Sequence, residues 1–383
     1  MFLNKRHTGR FLAFLIIAPA FLSAAYLAAE PLYSPTWGFR IDLPEGYEYT
    51  EGNNFDRYSF EGPGGAKFDI AVYDGVYSTV REMASDINRR LENKGDNDFF
   101  NYWGKSAAMM ELRFQNYEGW GIGVELDPRG DSVPLLVALA YAPAGKAELD
   151  LFHMSALDSI IPSDQEMRRP GIIMEFGFPR GQQRETAIAL TDLKALVWDT
   201  DAEAAQVLVD REYAVLCNYQ FAECWQEAWI RFYRMIYRDS WDRVSDAVFR
   251  LERSWNTGED RDPGGRTLAE KALAWVQSFK YERDPEGSDF VNLVSAVTEG
   301  RGDCDSRSML WVMILSQANI PAAIMVSQNY SHAMGLADVP GEGARFEAAG
   351  IQWLVAETTD KVGIGLISQD MSDIGSWLGV FFE

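Results

Sequence analysis

The segment formed by residues 301–360 constrains the fold most, because its hydrophobic period changes from helical to extended along the chain. Apolar residues first recur at helical spacing, at Leu310, Trp311, Ile314 and Leu315. Two alternating runs follow, at 332–337 and 351–356, with a Gly/Pro-rich turn at 340–343 between them. A helix followed by neighbouring strands predicts an α+β unit for the C-terminal part of the chain.

Cys304, His332 and Glu357 lie, in that order, at the start or end of these predicted elements. Cys304 opens the helix, where unpaired backbone N–H groups and the helix dipole favour a thiolate. We therefore expect its pKa to fall from about 8.5 into the range of about 3.5–7.5. His332 begins the first strand and Glu357 ends the second. If the two strands are neighbours, the Glu357 carboxylate can bond to one ring nitrogen of His332, and the other ring nitrogen can face the Cys304 sulfur.

The motifs around these residues resemble the transglutaminase-like core, which belongs to the papain-related superfamily with the order Cys, His, Asp. The matching motifs are G-D-C-D at the helix start, N-I-P-A where the family usually has G-I-P-A, the strand histidine, and W-L-V-A-E-T-T where it has W…D-x-T. The resemblance covers about residue 267 to the C-terminus. The chain departs from the family at Glu357, where Asp is usual, and at Met334, where an aromatic residue often follows the histidine.

The resemblance implies acyl chemistry on an amide, with attack by Cys304, protonation of the departing amine by His332, and orientation of His332 by Glu357. The backbone N–H of Cys304 is the expected first oxyanion donor. The second is expected from one of three upstream side chains, Gln277, Tyr281 or Asn292. No cofactor is implied. Hydrolysis of a peptide or amide bond is expected, because water reacts by default unless a site excludes it. A transglutaminase and an inactive peptide-binding module are the alternatives.

The cysteine count separates Cys304 from the other two thiols. Cys217 and Cys224 are seven positions apart, which is close enough for a local disulfide in an oxidising compartment. The alternative is that both are ordinary buried thiols whose helical backbone holds the sulfurs apart. A zinc site is not expected, since the chain has no CxxC pair and three histidines in total.

Residues 1–29 have the layout of a secretory signal peptide, with a basic start, an apolar run from 11 to 22, and small residues from 24 to 29. Counted through to residue 29, the same segment would serve as an uncleaved anchor. In both cases the protein is exported, and is periplasmic, extracellular or attached to the membrane by this segment alone. The formal net charge is −22, and −25 without the three basic residues of this segment. Such a charge argues against nucleic acid and anionic membrane surfaces as partners. A protein or peptide substrate is the partner that the resemblance implies.

Residues 30–165 show a series of predicted strands with a helix near each end, which indicates a sheet covered by helices. The opening F-R-I-D-L-P-E-G-Y and the closing S-A-L-D-S-I-I-P resemble the Mog1/PsbP-like fold. Residues 166–260 are predicted to form a mostly helical connector, and residues 261–383 the catalytic domain. His153 lies in the last helix of the first region, where we expect it to be packed or solvated.

Three local patterns in the connector and just after it give further expectations. Residues 171–176 are predicted to form a strand, and residues 267–270 (Thr-Leu-Ala-Glu) a capping box at a helix start. The long helix at about 224–255 carries an aromatic stripe that is typical of a core. Its basic residues alternate with aspartates and are expected on a solvated face: Arg231, Arg234, Arg238 and Arg243.

Overall fold

The structure is a computed structural model that describes residues 31–257, 262–283 and 288–382. The predicted signal or anchor segment, residues 1–29, lies outside the described residues. The described chain is an α+β protein with eight α-helices, one seven-stranded sheet and one five-stranded sheet. No helix in this part of the chain is long and apolar enough to cross a membrane.

The N-terminal region is built on a seven-stranded antiparallel sheet. Two short strands, β1 (Leu32–Tyr33) and β2 (Arg40–Ile41), pair beside it. The order within the sheet is β3-β4-β5-β9-β8-β7-β6. Its strands are β3 (Glu48–Gly52), β4 (Arg57–Glu61), β5 (Lys67–Tyr73), β6 (Asn97–Tyr102), β7 (Lys105–Phe114), β8 (Tyr117–Glu125) and β9 (Leu135–Pro143).

Helices cover both faces of this sheet, as the strand-and-helix pattern predicts. Helix α1 (Val80–Leu91) packs on one face, and α2 (Asp150–Asp158) and α3 (Ile172–Gly177) pack on the other. The prediction of a strand at 171–176 is therefore wrong. The Asp158 carboxylate accepts the backbone N–H groups of Ile173 and Met174, at 2.9 and 3.1 Å, and so stabilises a helix start that the local pattern does not reveal.

The connector contains a hairpin and two long helices. Strands β10 (Gln183–Ala187) and β11 (Lys194–Trp198) pair, and α4 (Asp201–Leu216) and α5 (Trp225–Trp255) follow. The prediction that the arginines of α5 form a solvated face is wrong, because Arg231, Arg238 and Arg243 are buried. They bond to buried acids and to backbone carbonyls of neighbouring elements, which compensates for their loss of hydration.

The C-terminal region places α8 (Cys304–Gln317) against a five-stranded sheet of order β16-β17-β15-β14-β18. Its strands are β14 (Ala322–Ser327), β15 (His332–Ala337), β16 (Arg345–Ala348), β17 (Ile351–Ala356) and β18 (Leu378–Phe381). The other elements are α6 (Arg266–Val276), β12 (Lys280–Tyr281), α7 (Leu293–Glu299) and β13 (Arg301–Gly302).

The start of α6 differs from its prediction. Gly265 is the N-cap residue and makes no side-chain cap bond, so the capping box expected at 267–270 does not form. The carboxylate of Asp262 instead accepts the N–H of Thr267 at 3.2 Å, from five positions upstream. Asp262 therefore accepts one of the backbone N–H groups that have no partner within the first turn of the helix, and the Thr267 side chain does not act as the N-cap.

Candidate active site

Cys304 is the first residue of α8, and Asp303 fixes the turn on which it lies. Asp303 Oδ1 accepts the N–H of Ser306 at 2.9 Å and the hydroxyl of the same residue, which makes Asp303 the N-cap of α8. The backbone N–H of Ala333, the residue that follows His332 on β15, interacts with the Cys304 sulfur and acts to lower the pKa of the thiol. The nucleophile candidate therefore lies between a helix start and the strand that carries the histidine, with 4 % of its surface exposed.

His332 and Glu357 come together because β15 and β17 are antiparallel neighbours. Gly335 pairs with Ala356 in the ladder, so the strand carrying His332 runs beside the strand that Glu357 follows. His332 Nε2 lies 2.8 Å from Glu357 Oε2. The other carboxylate oxygen, Oε1, accepts the N–H and the hydroxyl of Thr359 at 2.7 and 2.6 Å. Because Glu357 occupies Nε2 of His332, Nδ1 is the ring nitrogen that remains available to a thiol.

The pKa of Glu357 reflects this bonding. Burial alone would raise it, but the hydrogen bonds from His332 and Thr359 outweigh burial and hold the pKa below its usual value. Glu357 therefore stays a carboxylate near neutral pH and acts as an acceptor for the imidazole N–H. The extra methylene of glutamate, compared with aspartate, does not prevent the contact.

The environment of Cys304 does not favour a thiolate. The S–H group donates to Asp305 Oδ2 at 3.3 Å, and Asp305 Oδ1 accepts the hydroxyl of the buried Tyr233 on α5. Burial, followed by the carboxylates of Asp305 and Asp303, raises the pKa of Cys304 far above its usual range. The expectation of a lowered pKa at the helix start is therefore wrong, because a dipole equivalent to about half a charge is outweighed by desolvation and two acids.

The three candidates for the second oxyanion donor lie in different surroundings. Both hydrogens of the Gln277 amide are used, by the carbonyls of Glu357 at 2.7 Å and Val362 at 2.9 Å. Asn292 caps α7 through its oxygen, and its amide nitrogen donates to Gln206 and Ser295. Both amides therefore have structural bonds within the protein.

Tyr281 differs from the two amides because its hydroxyl accepts hydrogen bonds rather than donating them. Arg283 donates to its oxygen at 3.4 Å, which leaves the O–H hydrogen to donate elsewhere. The ring is half exposed and has Arg307 over its face, at 5.4 Å from the ring centre. Burial raises the pKa of Tyr281, and the nearby Cys304 and Asp303 raise it further. Tyr281 is thus a neutral donor near the sulfur.

Three residues near the site were not singled out from the sequence. Thr359, which orients Glu357, belongs to the W-L-V-A-E-T-T motif and could have been found there. Trp377 has its ring 6.4 Å from that of His332 and also contacts Tyr330, but it lies in a segment without a motif. Tyr233 precedes Asp305 by 72 positions, on a helix whose aromatic stripe indicates only a core.

The acids beside Cys304 are also the group that could hold a metal ion. Asp303, Cys304 and Asp305 each bring one ligand atom within 4.8 Å of the others. Oxygens of Asp303 and Asp305 already accept bonds from Ser306, Tyr233 and the thiol itself. Hydrogen bonding within the protein therefore accounts for the cluster.

Cys217 and Cys224 are free thiols, so the local disulfide between them is not formed. Cys217 continues the helical backbone of α4 into a 3-10 turn, and Cys224 immediately precedes α5. The alternative of two buried thiols is also wrong, because Cys217 is exposed and Cys224 is half-buried. His153 is packed in α2, as one of the two expectations had it, and is 1 % exposed.

The chain thus combines an α+β fold with a helix-start cysteine, a strand histidine and a glutamate in one place. No protein family model and no curated protein matches it. LpqN of Mycobacterium tuberculosis, involved in cell envelope biogenesis, aligns with 35 % of this chain and 90 % of its own, at 12 % identity and a TM-score of 0.25. A Bacteroides thetaiotaomicron protein aligns with 57 % and 80 %, at 10 % identity and a TM-score of 0.25.

A proposed cysteine protease from Cytophaga hutchinsonii aligns with 88 % of this chain and 76 % of its own, at 10 % identity and a TM-score of 0.22. TM-scores of this size do not establish a shared fold for any of the three proteins.

Proposed function

We propose that the chain is an exported, transglutaminase-like cysteine hydrolase that cleaves a peptide or amide bond through Cys304, His332 and Glu357. The observation that supports this most is the 2.8 Å contact between His332 and Glu357, next to the Ala333 N–H that contacts the Cys304 sulfur. A nucleophile, a base and an orienting acid in this relation are the elements of acyl transfer through a covalent intermediate.

The reaction begins from the thiol, since the surroundings of Cys304 disfavour its thiolate. His332 Nδ1 takes the S–H proton as the sulfur attacks the substrate carbonyl, and Glu357 stabilises the imidazolium that forms. The backbone N–H of Cys304 and the hydroxyl of Tyr281 donate to the developing oxyanion. The imidazolium then protonates the leaving amine, the C–N bond breaks, and a thioester remains. Water, deprotonated by His332, hydrolyses the thioester and restores the thiol.

Hydrolysis is preferred over transamidation because water is always present, whereas a transglutaminase needs a second site for an amine. A transglutaminase would use the same three residues and the same thioester, and would differ only in the group that resolves it. Export is inferred from the basic, apolar and small-residue pattern of residues 1–29. An exported hydrolase would meet proteins or peptides of the envelope or the medium as substrates.

A catalytically inactive peptide-binding module is the second candidate. The bond from the Cys304 thiol to Asp305 favours it, because a proton held by a carboxylate is not held by His332. The two candidates differ in one property, which is whether His332 controls the reactivity of Cys304.

Substitution tests the proposal on secreted protein with a library of fluorogenic peptide amides. We expect Cys304→Ala and His332→Ala to abolish cleavage, a loss of about 10⁶-fold, and Glu357→Gln to lower it by about 10⁴-fold while leaving it measurable. Cys224→Ala, a half-buried thiol outside the site, is the matched control and should cleave normally. Product analysis with and without a primary amine separates hydrolysis from transamidation. Full cleavage by Cys304→Ala would refute the proposal.

A further inference from the structure

A pocket of about 230 Å³ opens between the turn that joins α4 to α5 and the turn that joins β14 to β15. Four aromatic side chains dominate its wall, and a leucine, a cysteine and two glutamines complete it. The aromatic residues are Tyr213, Tyr219, Trp225 and Trp229, and one of the glutamines, Gln328, comes from the turn between β14 and β15. The mechanism derived above uses none of them, and most come from the connector rather than from the sheet that carries the catalytic candidates.

Two short paths join this pocket to the candidate active site. Along α5, the Trp229 ring lies 6.2 Å from the Tyr233 ring, and the Tyr233 hydroxyl donates to Asp305, which accepts the Cys304 thiol. Along the sheet, Gln328 directly follows Ser327, which is the cross-strand partner of His332. Cross-strand partners have Cα atoms about 5 Å apart. An extended peptide rises about 3.3 Å per residue. A few residues of such a peptide would therefore span the distance from the pocket to Cys304.

The composition of the wall selects the chemistry of the occupant. Trp225 and Trp229 stand with ring centres 5.8 Å apart and are half-exposed, so they present apolar faces to the opening. None of the described residues that line the pocket carries a charged side chain. A charged group would lose hydration there without gaining an ionic partner, whereas an aromatic side chain would bury its surface against other rings.

Phe221, at the tip of the same turn, supports a peptide as the occupant. Its side chain is 94 % exposed, which is unusual for a phenylalanine and leaves a large apolar surface beside the pocket. A peptide that extends from the pocket toward Cys304 would pass beside this ring and cover part of its apolar surface. The exposed ring and the aromatic wall together form one apolar surface next to a catalytic thiol.

We propose that this pocket is a substrate subsite, which takes a neutral aromatic or large aliphatic side chain of the peptide whose carbonyl is attacked by Cys304. The proposal rests on the proposed function and names the substrate class, a peptide with a bulky apolar residue near the cleaved bond. Specificity then comes from α4 and α5, while the chemistry comes from α8, β15 and β17.

The first test compares peptide amides that differ only in one residue, with Phe, Leu, Ala, Lys or Asp at each position in turn. At one position, we expect kcat/KM for Phe to exceed that for Ala or Asp by at least about tenfold, as burial of an aromatic ring allows. Trp225→Ala should remove most of this preference, and Trp225→Phe should restore part of it. Phe249→Ala, an exposed ring farther along α5, is the matched control and should change nothing. Thermal unfolding confirms that each variant folds.

The second test uses Cys304→Ala, which cannot cleave, and reads binding by ¹⁹F NMR of a peptide containing 4-fluorophenylalanine. We expect the Phe-containing peptide to bind about tenfold more weakly to the Cys304→Ala/Trp225→Ala protein than to Cys304→Ala. Because this measurement needs no cleavage, it supports the subsite even if the wild-type chain does not cleave peptides. Failure of the subsite can therefore be distinguished from failure of the proposed hydrolase function. Equal affinity for Phe and Ala peptides would overturn the subsite, as would a preference for Lys, which would indicate a cation site. Self-association that is lost in Phe221→Ala would also overturn it, because a second copy would then occupy the pocket.

Discussion

At the scale of single residues, Asp305 controls the state of the site. Its carboxylate is bonded both to the Cys304 thiol and to a side chain of the connector, Tyr233. Because Tyr233 is buried and holds one carboxylate oxygen, Asp305 is fixed with its other oxygen toward the sulfur. The thiol proton is therefore bonded to Asp305 in the structure, whereas the proposed reaction transfers it to His332.

Removing the charge of Asp305 should make Cys304 more reactive. In Asp305→Asn, the loss of the adjacent carboxylate lowers the pKa of the thiol, and we expect the pH profile of iodoacetamide labelling to move down by about one to two units. Labelling at a fixed pH below the pKa then rises about tenfold per unit. Mass mapping of Cys304 measures this, with Asp370→Asn, an exposed acid, as the matched control. An unchanged profile would show that burial alone sets the pKa.

At the scale of elements, the site depends on how closely α8 approaches β15. Gly335 lies three positions after His332, directly under Trp311 of α8, and a Cβ at Gly335 would come within 2.4 Å of the Trp311 ring. Trp311 is itself fully buried and donates its indole N–H to the Ala269 carbonyl of α6 at 3.0 Å. The ring therefore cannot move away without breaking a buried bond.

Gly335→Ala should consequently lower both stability and activity. Overpacking of this kind costs about 1–3 kcal/mol of the free energy of unfolding, and a shift of β15 against α8 separates His332 from Cys304. Urea denaturation measures the first effect and peptide cleavage the second. Gly363→Ala is the control, because a Cβ there meets nothing within 4 Å. If Gly335→Ala matched Gly363→Ala in both measurements, the contact would not matter.

Some of these elements could be predicted from the sequence and others could not. Helix α8 and strands β15 and β17 begin where their periodicity predicts, because their own side chains decide both period and burial. Helix α3 was missed because a carboxylate 15 positions away, Asp158, caps it. The raised pKa of Cys304 was missed for a related reason, since burial of the thiol and the fixed direction of Asp305 arise only in the folded chain.

At the scale of the whole molecule, buried ionic groups join the N-terminal region to the connector. Arg231 of α5 donates to the Asp42 carbonyl at 2.7 Å, to Glu212 of α4 at 2.8 Å, and to the Ser155 carbonyl of α2 at 3.2 Å. Glu212 also pairs with Arg211, which reaches Asp158 at 2.6 Å. Three helices from two regions thus share one network with almost no access to water.

Arg231→Met should therefore destabilise the protein strongly. Removing one partner leaves Glu212 buried with less compensation, and we expect a loss of about 3–5 kcal/mol in the free energy of unfolding. Arg250→Met removes an exposed pair with Asp246 on the same helix and should cost far less, because solvent screens that pair. Urea denaturation of both variants gives the comparison, and equal losses would show that the network contributes no more than a surface pair.

The stability of the whole molecule also depends on pH, through the buried side chain of His153. Burial lowers the pKa of His153 to about 4, and neither ring nitrogen has a hydrogen-bond partner among the described residues. As the pH falls through about 6.5, the unfolded chain takes up a proton at this position before the folded chain does. Stability is therefore lost between about pH 6.5 and 4, and is fully present above that window.

In His153→Leu this loss disappears, so the stability of the variant relative to wild type should rise by about 2 kcal/mol between pH 8 and pH 5. The difference is measured rather than the absolute stability, because burial raises the pKa of Glu45 to about 7 and gives an opposite trend in both proteins. Urea denaturation at the two pH values provides the four free energies. A difference that does not change with pH would mean that His153 accepts a proton in the folded state as readily as in the unfolded chain.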